Sequence, residues 1–333
     1  LLATLGITSL FLHAGMEVNV QEWVEEKNRL TWHIGLKMLV LLGVAGTVMY
    51  LYQIDLSLAI LIALAIVTPS TGFILNTLGR LQLNEREQFW VRNKAIASEV
   101  VALAIMFVAL QTSDTAVNSG DVALRALALI GLMLALPVVF GFFGRVITPH
   151  AAGSEFSMLV MMGLVAGYIT KSLGVYYLVG AFLVGLVAVL LKPRLPSMAN
   201  AHNLEAVHLF ATFFIPFYFF VAGTRVPAEA LSTSAMAAGV VLLAIVMPVR
   251  WLVVWLQRRW LHEESNVSSV RVTIALTPTL IFTLVIAEIL RSRGDIDPEV
   301  FGSLLTYAVL NTVLPTLLFA LLGLKQPHLE KAV

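Results

Sequence analysis

The 333 residues are 59% hydrophobic and 12% charged, carry a formal net charge of +1 and include no cysteine, and their mean hydropathy is +0.90. That make-up is too apolar for an ordinary soluble domain and places the chain in a bilayer. Basic residues scattered through loops, with no net excess, exclude nucleic acid as a partner, and the missing cysteines exclude disulfide frameworks, thiolate metal sites and thiol nucleophiles.

The apolar residues come in long blocks joined by short polar connections, not in alternating ten-residue segments. The predicted class is therefore all-α, a polytopic membrane protein. Windows bounded by charge, Gly and Pro predict eleven helices: Leu1 to Asn19, His33 to Leu51, Leu56 to Leu78, Trp90 to Leu110, Val122 to Val146, Phe156 to Leu173, Val175 to Leu191, Leu204 to Thr224, Thr233 to Leu256, Val267 to Leu290, and Pro298 to Leu322. The chain opens at Leu1-Leu2 inside an apolar run with no charged segment before it, so further N-terminal residues are expected.

Lys and Arg mark cytoplasmic loops. One set of alternate loops carries Lys27, Arg29, Arg80, Arg86, Arg92, Lys94, Arg145, Lys192, Arg194, Arg258, Arg259, Arg271, Lys325 and Lys331; the other carries only Arg125, Lys171, Arg225, Arg291 and Arg293. This asymmetry predicts a first helix running inward and a cytoplasmic C-terminus.

The third helix is interrupted at Thr68-Pro69-Ser70-Thr71-Gly72, and the tenth, "VRVTIALTPTLIFTLVIAEIL", at Thr277-Pro278-Thr279. By the predicted topology these two helices run in opposite directions. Interrupted helices at matching places in oppositely oriented halves point to an inverted-repeat secondary transporter; ordinary proline kinks are the structural alternative. A proline removes a donor and frees a carbonyl. Half-helix ends add partial charges, and Thr68, Ser70, Thr71, Thr277 and Thr279 offer hard oxygens suited to sodium or potassium.

The fourth helix supplies the counter-charge. In "NKAIASEVVALAIMFVAL", Glu99 lies deep in an apolar span, where a carboxylate is expensive unless neutral, paired or wet. Proton and metal cation would compete for the same oxygens; a protonated Glu99 bonded to a neighbouring helix is the alternative. Arg250, in "AIVMPVRWLVVWLQRRW", either snorkels to the inner interface or lies beside the ion site. Glu288 and Lys171 read as interfacial anchors, His13 and His208 as hydrogen-bonded helix residues, and Asn311-Thr312 as polar contacts between helices. No metalloprotease, phosphate-loop, hydrolase-elbow or dinucleotide motif appears, so no enzyme and no cofactor are expected.

These residues resemble the monovalent cation:proton antiporter superfamily, most closely its Kef-like and sodium/proton exchanger branches. "ITSLFLHAGMEVNVQEW" resembles that family's "LLLFLIGLELDL" helix, "TPSTGFIL" its first crossing helix with Ser70-Thr71 as the Ser-Thr pair, "LGVYYLVGAFLVGLVAV" its "LGLSAALGAFLAGL" segment, and "FFIPFYFFVAGTRV" its "PFFFVSVGL" segment. The resemblance implies a thirteen-helix elevator-type exchanger of which eleven helices are present, with two crossed discontinuous helices and a homodimer. Residues 1–19 would be a dimerisation helix matching the family's third, 33–110 the first core repeat, 122–146 a linker, 156–224 dimerisation helices, and 233–322 the second core repeat. The family's acidic pair falls on Ser98-Glu99 and its basic residue on Arg250, while its Gly-Gly-Glu segment is replaced by Thr277-Pro278-Thr279.

The expectation is an inner-membrane antiporter, electroneutral, exchanging sodium or potassium for protons. Glu99 carries either ion, Ser98, Thr68, Ser70, Thr71 and Thr279 coordinate or line the site, Glu99 and Ser98 are the direct metal ligands, and Arg250 stabilises the charge. A sodium-coupled organic anion symporter and a transport-inactive sensor or scaffold are the alternatives.

Overall fold

The computed structural model describes residues 1–112, 119–146, 150–151, 153–174, 176–261 and 265–323. Among these there is no strand. Fourteen helices follow in chain order: α1 (Leu2–Met16), α2 (Val20–Glu25), α3 (Lys27–Tyr52), α4 (Leu56–Val67), α5 (Thr71–Leu78), α6 (Glu85–Thr112), α7 (Ser119–Val146), α8 (Glu155–Ser172), α9 (Tyr177–Leu190), α10 (Ala201–Thr224), α11 (Thr233–Leu261), α12 (Asn266–Ala275), α13 (Leu280–Arg293) and α14 (Pro298–Leu321). Each predicted segment is helical. The predicted start of the seventh, Val175, and the basic Lys325 and Lys331 lie outside the described residues.

Eight segments are long and apolar enough to cross a bilayer, counting α4 with α5 and α12 with α13 as single interrupted spans. Three of the eleven predicted spans are not among these eight: α8, and the two shorter helices α1, with 15 residues, and α9, with 14. The short length of α1 and α9 is offset by close contact. A Cβ on Gly15 would lie 2.2 Å from the Phe182 carbonyl oxygen, and one on Gly185 2.1 Å from that of Leu12, so the two backbones touch as small-residue membrane interfaces allow.

Four prolines, Pro137, Pro216, Pro248 and Pro315, sit inside α7, α10, α11 and α14 and leave those helices continuous. Pro69 and Pro278 do not. Thr68, held extended by the proline after it, has φ −80° and ψ 121°, and Ser70 is also extended. Thr279 leaves helical geometry at φ −121° and ψ 1°. Both interruptions lie in the protein's interior. Buried residues make up 78% of the apolar window of the first broken span and 83% of the second, against 17% or less for α3, α7, α10 and α11. Freed backbone groups are tolerated at membrane depth only where protein or water meets them.

The chain divides into two compact units. The first comprises residues 1–24 and 110–225, and the second residues 25–109 and 226–333. Within the first, Leu12, Met16, Phe140, Leu159, Val184 and Val207 form one apolar core, and Gln111 Nε2 donates to the Gly174 carbonyl at 3.0 Å while its Oε1 accepts from Arg125. The His13 and His208 rings pack 4.8 Å apart, and His13 Nε2 lies 3.6 Å from Glu17. The second unit holds both broken helices.

Three residues placed in basic loops by the sequence belong instead to helices and are buried: Lys94, Arg258 and Arg271. Each has a hydrogen-bonding partner on another helix. Arg271 Nε donates to Glu87 Oε2 at 3.1 Å and its Nη2 to the Gln82 carbonyl at 2.5 Å, and Lys94 donates to Gln257.

Candidate ion-binding site

The two interruptions meet. The Ser70 amide donates to the Pro278 carbonyl at 2.8 Å, a backbone bond between the broken segments that neither could satisfy within its own helix. Several of the freed carbonyls around this crossing have side-chain partners. The Ala65 carbonyl accepts from Thr283 Oγ1 and the Ile66 carbonyl from the Tyr307 hydroxyl, both at 2.6 Å. The Leu276 carbonyl accepts from Arg250 Nη2 at 3.3 Å. Arg250 Nη1 also donates to the Tyr307 oxygen at 3.0 Å, and Trp251 Nε1 to Thr277 Oγ1 at 3.0 Å. Arg250 thus belongs to the crossing and does not snorkel.

The N-termini of the two second halves are capped in parallel fashion. The Thr71 amide at the start of α5 donates to Glu99 Oε2 at 3.2 Å, and the Thr279 amide at the start of α13 donates to Asn311 Oδ1 at 3.1 Å. Glu99 reaches in from α6 and Asn311 from α14, each the helix that follows its broken neighbour. One cap is an acid and the other an amide. A helix N-terminus carries a partial positive charge, so Glu99 sits where a carboxylate is favoured, although only 2% of it is exposed.

Ser98, Thr68, Ser70, Thr71 and Thr279 are also buried. Thr68 Oγ1 is buried without a hydrogen-bond partner, an unusual condition for a hydroxyl in a native interior and one that a small cation would relieve, while the Thr71 side chain lies against the Glu99 carboxylate. Thr279 is differently placed. Its Oγ1 accepts from Asn311 Nδ2 at 2.8 Å and is 2.7 Å from Thr283 Oγ1, so its oxygen is engaged between α13 and α14.

A cavity of about 50 Å³ opens beside the crossing, lined by His33, Lys37, Pro69, Ser98 and Arg250 among others. That is room for a dehydrated cation or a very few waters. Two of these residues escaped the sequence reading. Lys37 on α3 has a buried Nζ without a hydrogen-bond partner and interacts electrostatically with Glu99 and Arg250. His33 bridges Gln257 and Ser98, with Nδ1 3.0 Å from Gln257 Oε1 and Nε2 3.1 Å from Ser98 Oγ. The available signal was a spacing: Arg29, His33 and Lys37 recur every four residues and therefore share one helix face.

Farther from the crossing, Glu288 pairs with Arg291 at 3.0 Å. No curated protein sequence matches the chain. Among solved structures, the fold is similar to that of the sodium proton antiporter MjNhaP1 from Methanocaldococcus jannaschii at pH 8, with a TM-score of 0.69 and 12% identity over 97% of this chain and 84% of that one. The family described as "Sodium/hydrogen exchanger, transmembrane" matches residues 1–323, and this multi-pass helical membrane protein belongs to it.

Proposed function

We propose that the protein is an antiporter that exchanges a monovalent cation, sodium or potassium, for a proton at Glu99. The observation that carries this reading is the position of that carboxylate. It caps the half-helix that opens at Thr71, three residues after Thr68, whose hydroxyl oxygen is buried without a hydrogen-bond partner. A buried carboxylate with further oxygens at hand binds either a proton or a small hard cation, and binding one displaces the other. Ser98, Thr68, Ser70 and Thr71 supply the further oxygens, with Ser98 and Glu99 as direct ligands. Thr279 lines the crossing from the opposite repeat. Arg250 ties α11 to the freed Leu276 carbonyl and to Tyr307, and so keeps the crossing closed when no cation is bound.

One acid at the site gives a one-for-one, electroneutral exchange. Alternating access follows the elevator scheme, with the second unit carrying the site and the first forming the dimer contact, in a plasma membrane with the basic helix ends facing the cytoplasm. Lys37 and Arg250 beside the same cavity favour one second reading, sodium-coupled symport of a small organic anion. Sodium uptake that requires such an anion and moves no protons would select it.

In proteoliposomes loaded with a pH-sensitive dye, a sodium or potassium jump should drive proton movement in the wild type. Glu99→Gln keeps the shape and an oxygen for the Thr71 amide but holds no exchangeable proton, so that movement should cease while the protein stays folded. Undiminished exchange in Glu99→Gln would remove the carrier role.

A further inference from the structure

Polar groups extend from the cavity along three helices. On α3, Arg29, His33 and Lys37 share a face, on α6 Lys94 and Ser98 are four residues apart, and on α11 Gln257 lies seven residues beyond Arg250. The three stripes converge on Gln257. Its Oε1 accepts from Lys94 Nζ at 2.9 Å and lies 3.0 Å from His33 Nδ1, and its Nε2 donates to the Arg29 carbonyl at 3.3 Å. His33 Nε2 then meets Ser98 Oγ at 3.1 Å. Lys94, Gln257, His33 and Ser98 are all buried.

The hydrogens in this chain are fixed by what its ends can do. A lysine nitrogen here donates and a backbone carbonyl only accepts, so the Gln257 amide fits between Lys94 and Arg29 one way round, with oxygen toward Lys94. That oxygen, an acceptor, takes the hydrogen of His33 Nδ1. In the neutral imidazole with its hydrogen on Nδ1, Nε2 is an acceptor, and the Ser98 hydroxyl donates to it. With its hydrogen turned toward His33, Ser98 offers only lone pairs to the cavity that it lines.

We infer that Gln257 is a positioning residue: through His33 it orients the Ser98 hydroxyl so that its oxygen, and not its hydrogen, faces the transported cation. The inference rests on the antiporter reading of the Ser98–Glu99 site. Partners that orient metal ligands from behind commonly contribute 10–100-fold to metal affinity.

The test is the cation dependence of proton movement in proteoliposomes. Gln257→Leu removes the acceptor and should raise the apparent KM for the cation about tenfold while leaving the maximal rate within about twofold. Gln257→Glu keeps an acceptor oxygen for Lys94 and His33 and should recover most of that loss. A Gln257→Leu protein with unchanged KM, whether or not its rate falls, overturns the inference, because a packing role alone moves stability and rate. If that variant does not fold, His33→Leu carries the same expectation, and an unchanged KM there overturns it equally. Wild-type vesicles without cation-driven proton movement would sink the antiporter reading and this inference together. Active wild type with an unaltered KM in the variants sinks only the positioning role.

Discussion

Lys37 places an ammonium without a hydrogen-bond partner in the interior of the second unit, beside the proposed cation site. Burying such a group costs several kcal/mol unless a counter-charge answers it, and Glu99 is the carboxylate with which it interacts. When protonated, Lys37 also opposes an arriving cation through its charge. Lys37→Met should therefore lower the apparent KM for the cation about tenfold and raise the unfolding temperature in detergent, since an apolar chain of similar length replaces an unpartnered charge. A KM that stays constant would place Lys37 outside the electrostatics of the site. In the sequence this residue gave little warning. It stands ten residues into a helix that opens with Lys27 and Arg29, where a basic residue ordinarily snorkels to the interface. His33 and Gln257 were hidden for a different reason. Uncharged polar groups in a membrane helix carry no obvious penalty until their partners, here 224 residues apart, are brought together. Glu99 was legible because a lone acid in an apolar run admits few explanations.

At the scale of helices, proline alone does not decide where a span breaks, as the continuous α7, α10, α11 and α14 demonstrate. What distinguishes Thr68-Pro69-Ser70-Thr71 and Thr277-Pro278-Thr279 is the cluster of hydroxyls on each side and the supply of partners for the freed backbone, from Thr283, Tyr307, Arg250, Glu99 and Asn311. The clusters were legible in the sequence. The partners were not, because nothing local ties residue 66 to residue 307. Thr283→Val deletes the hydroxyl that reaches the Ala65 carbonyl and should destabilise the second unit by about 1 kcal/mol, the usual scale for such bonds between membrane helices, measured by thermal or denaturant unfolding in detergent. No change would mean that water takes over the carbonyl. In the first unit the short helices α1 and α9 depend on Gly15 and Gly185. Gly185→Val would drive a side chain into the Leu12 carbonyl, backbone that cannot yield locally, and should cost about 3 kcal/mol or prevent folding. By contrast Gly35, with open space where a Cβ would stand, should accept alanine and gain up to about 1 kcal/mol from helix propensity. Equal tolerance at both positions would contradict the close α1–α9 contact.

For the whole molecule, apolar patterning alone predicted the helical membrane class and a helix within each of eleven windows, since blocks of hydrophobicity survive any packing arrangement, but not the short α2. The interleaved division, with residues 1–24 joining 110–225 and residues 25–109 joining 226–333, is invisible to local pattern, because it is written in contacts between distant segments. The two halves also differ at one matched position. Glu99 and Asn311 cap equivalent half-helices, and on the proposed exchange at Glu99 this acid-for-amide difference leaves the repeated architecture with a single exchangeable charge. It predicts that proton and cation compete for one place. The most direct measurement is the apparent KM for sodium or potassium in proteoliposomes as a function of pH. Where the carboxyl is mostly protonated, each unit fall in pH should raise KM about tenfold, as simple competition for one group requires, while the rate at saturating cation stays unchanged. A KM indifferent to pH, with only the maximal rate responding, would contradict a shared site at Glu99.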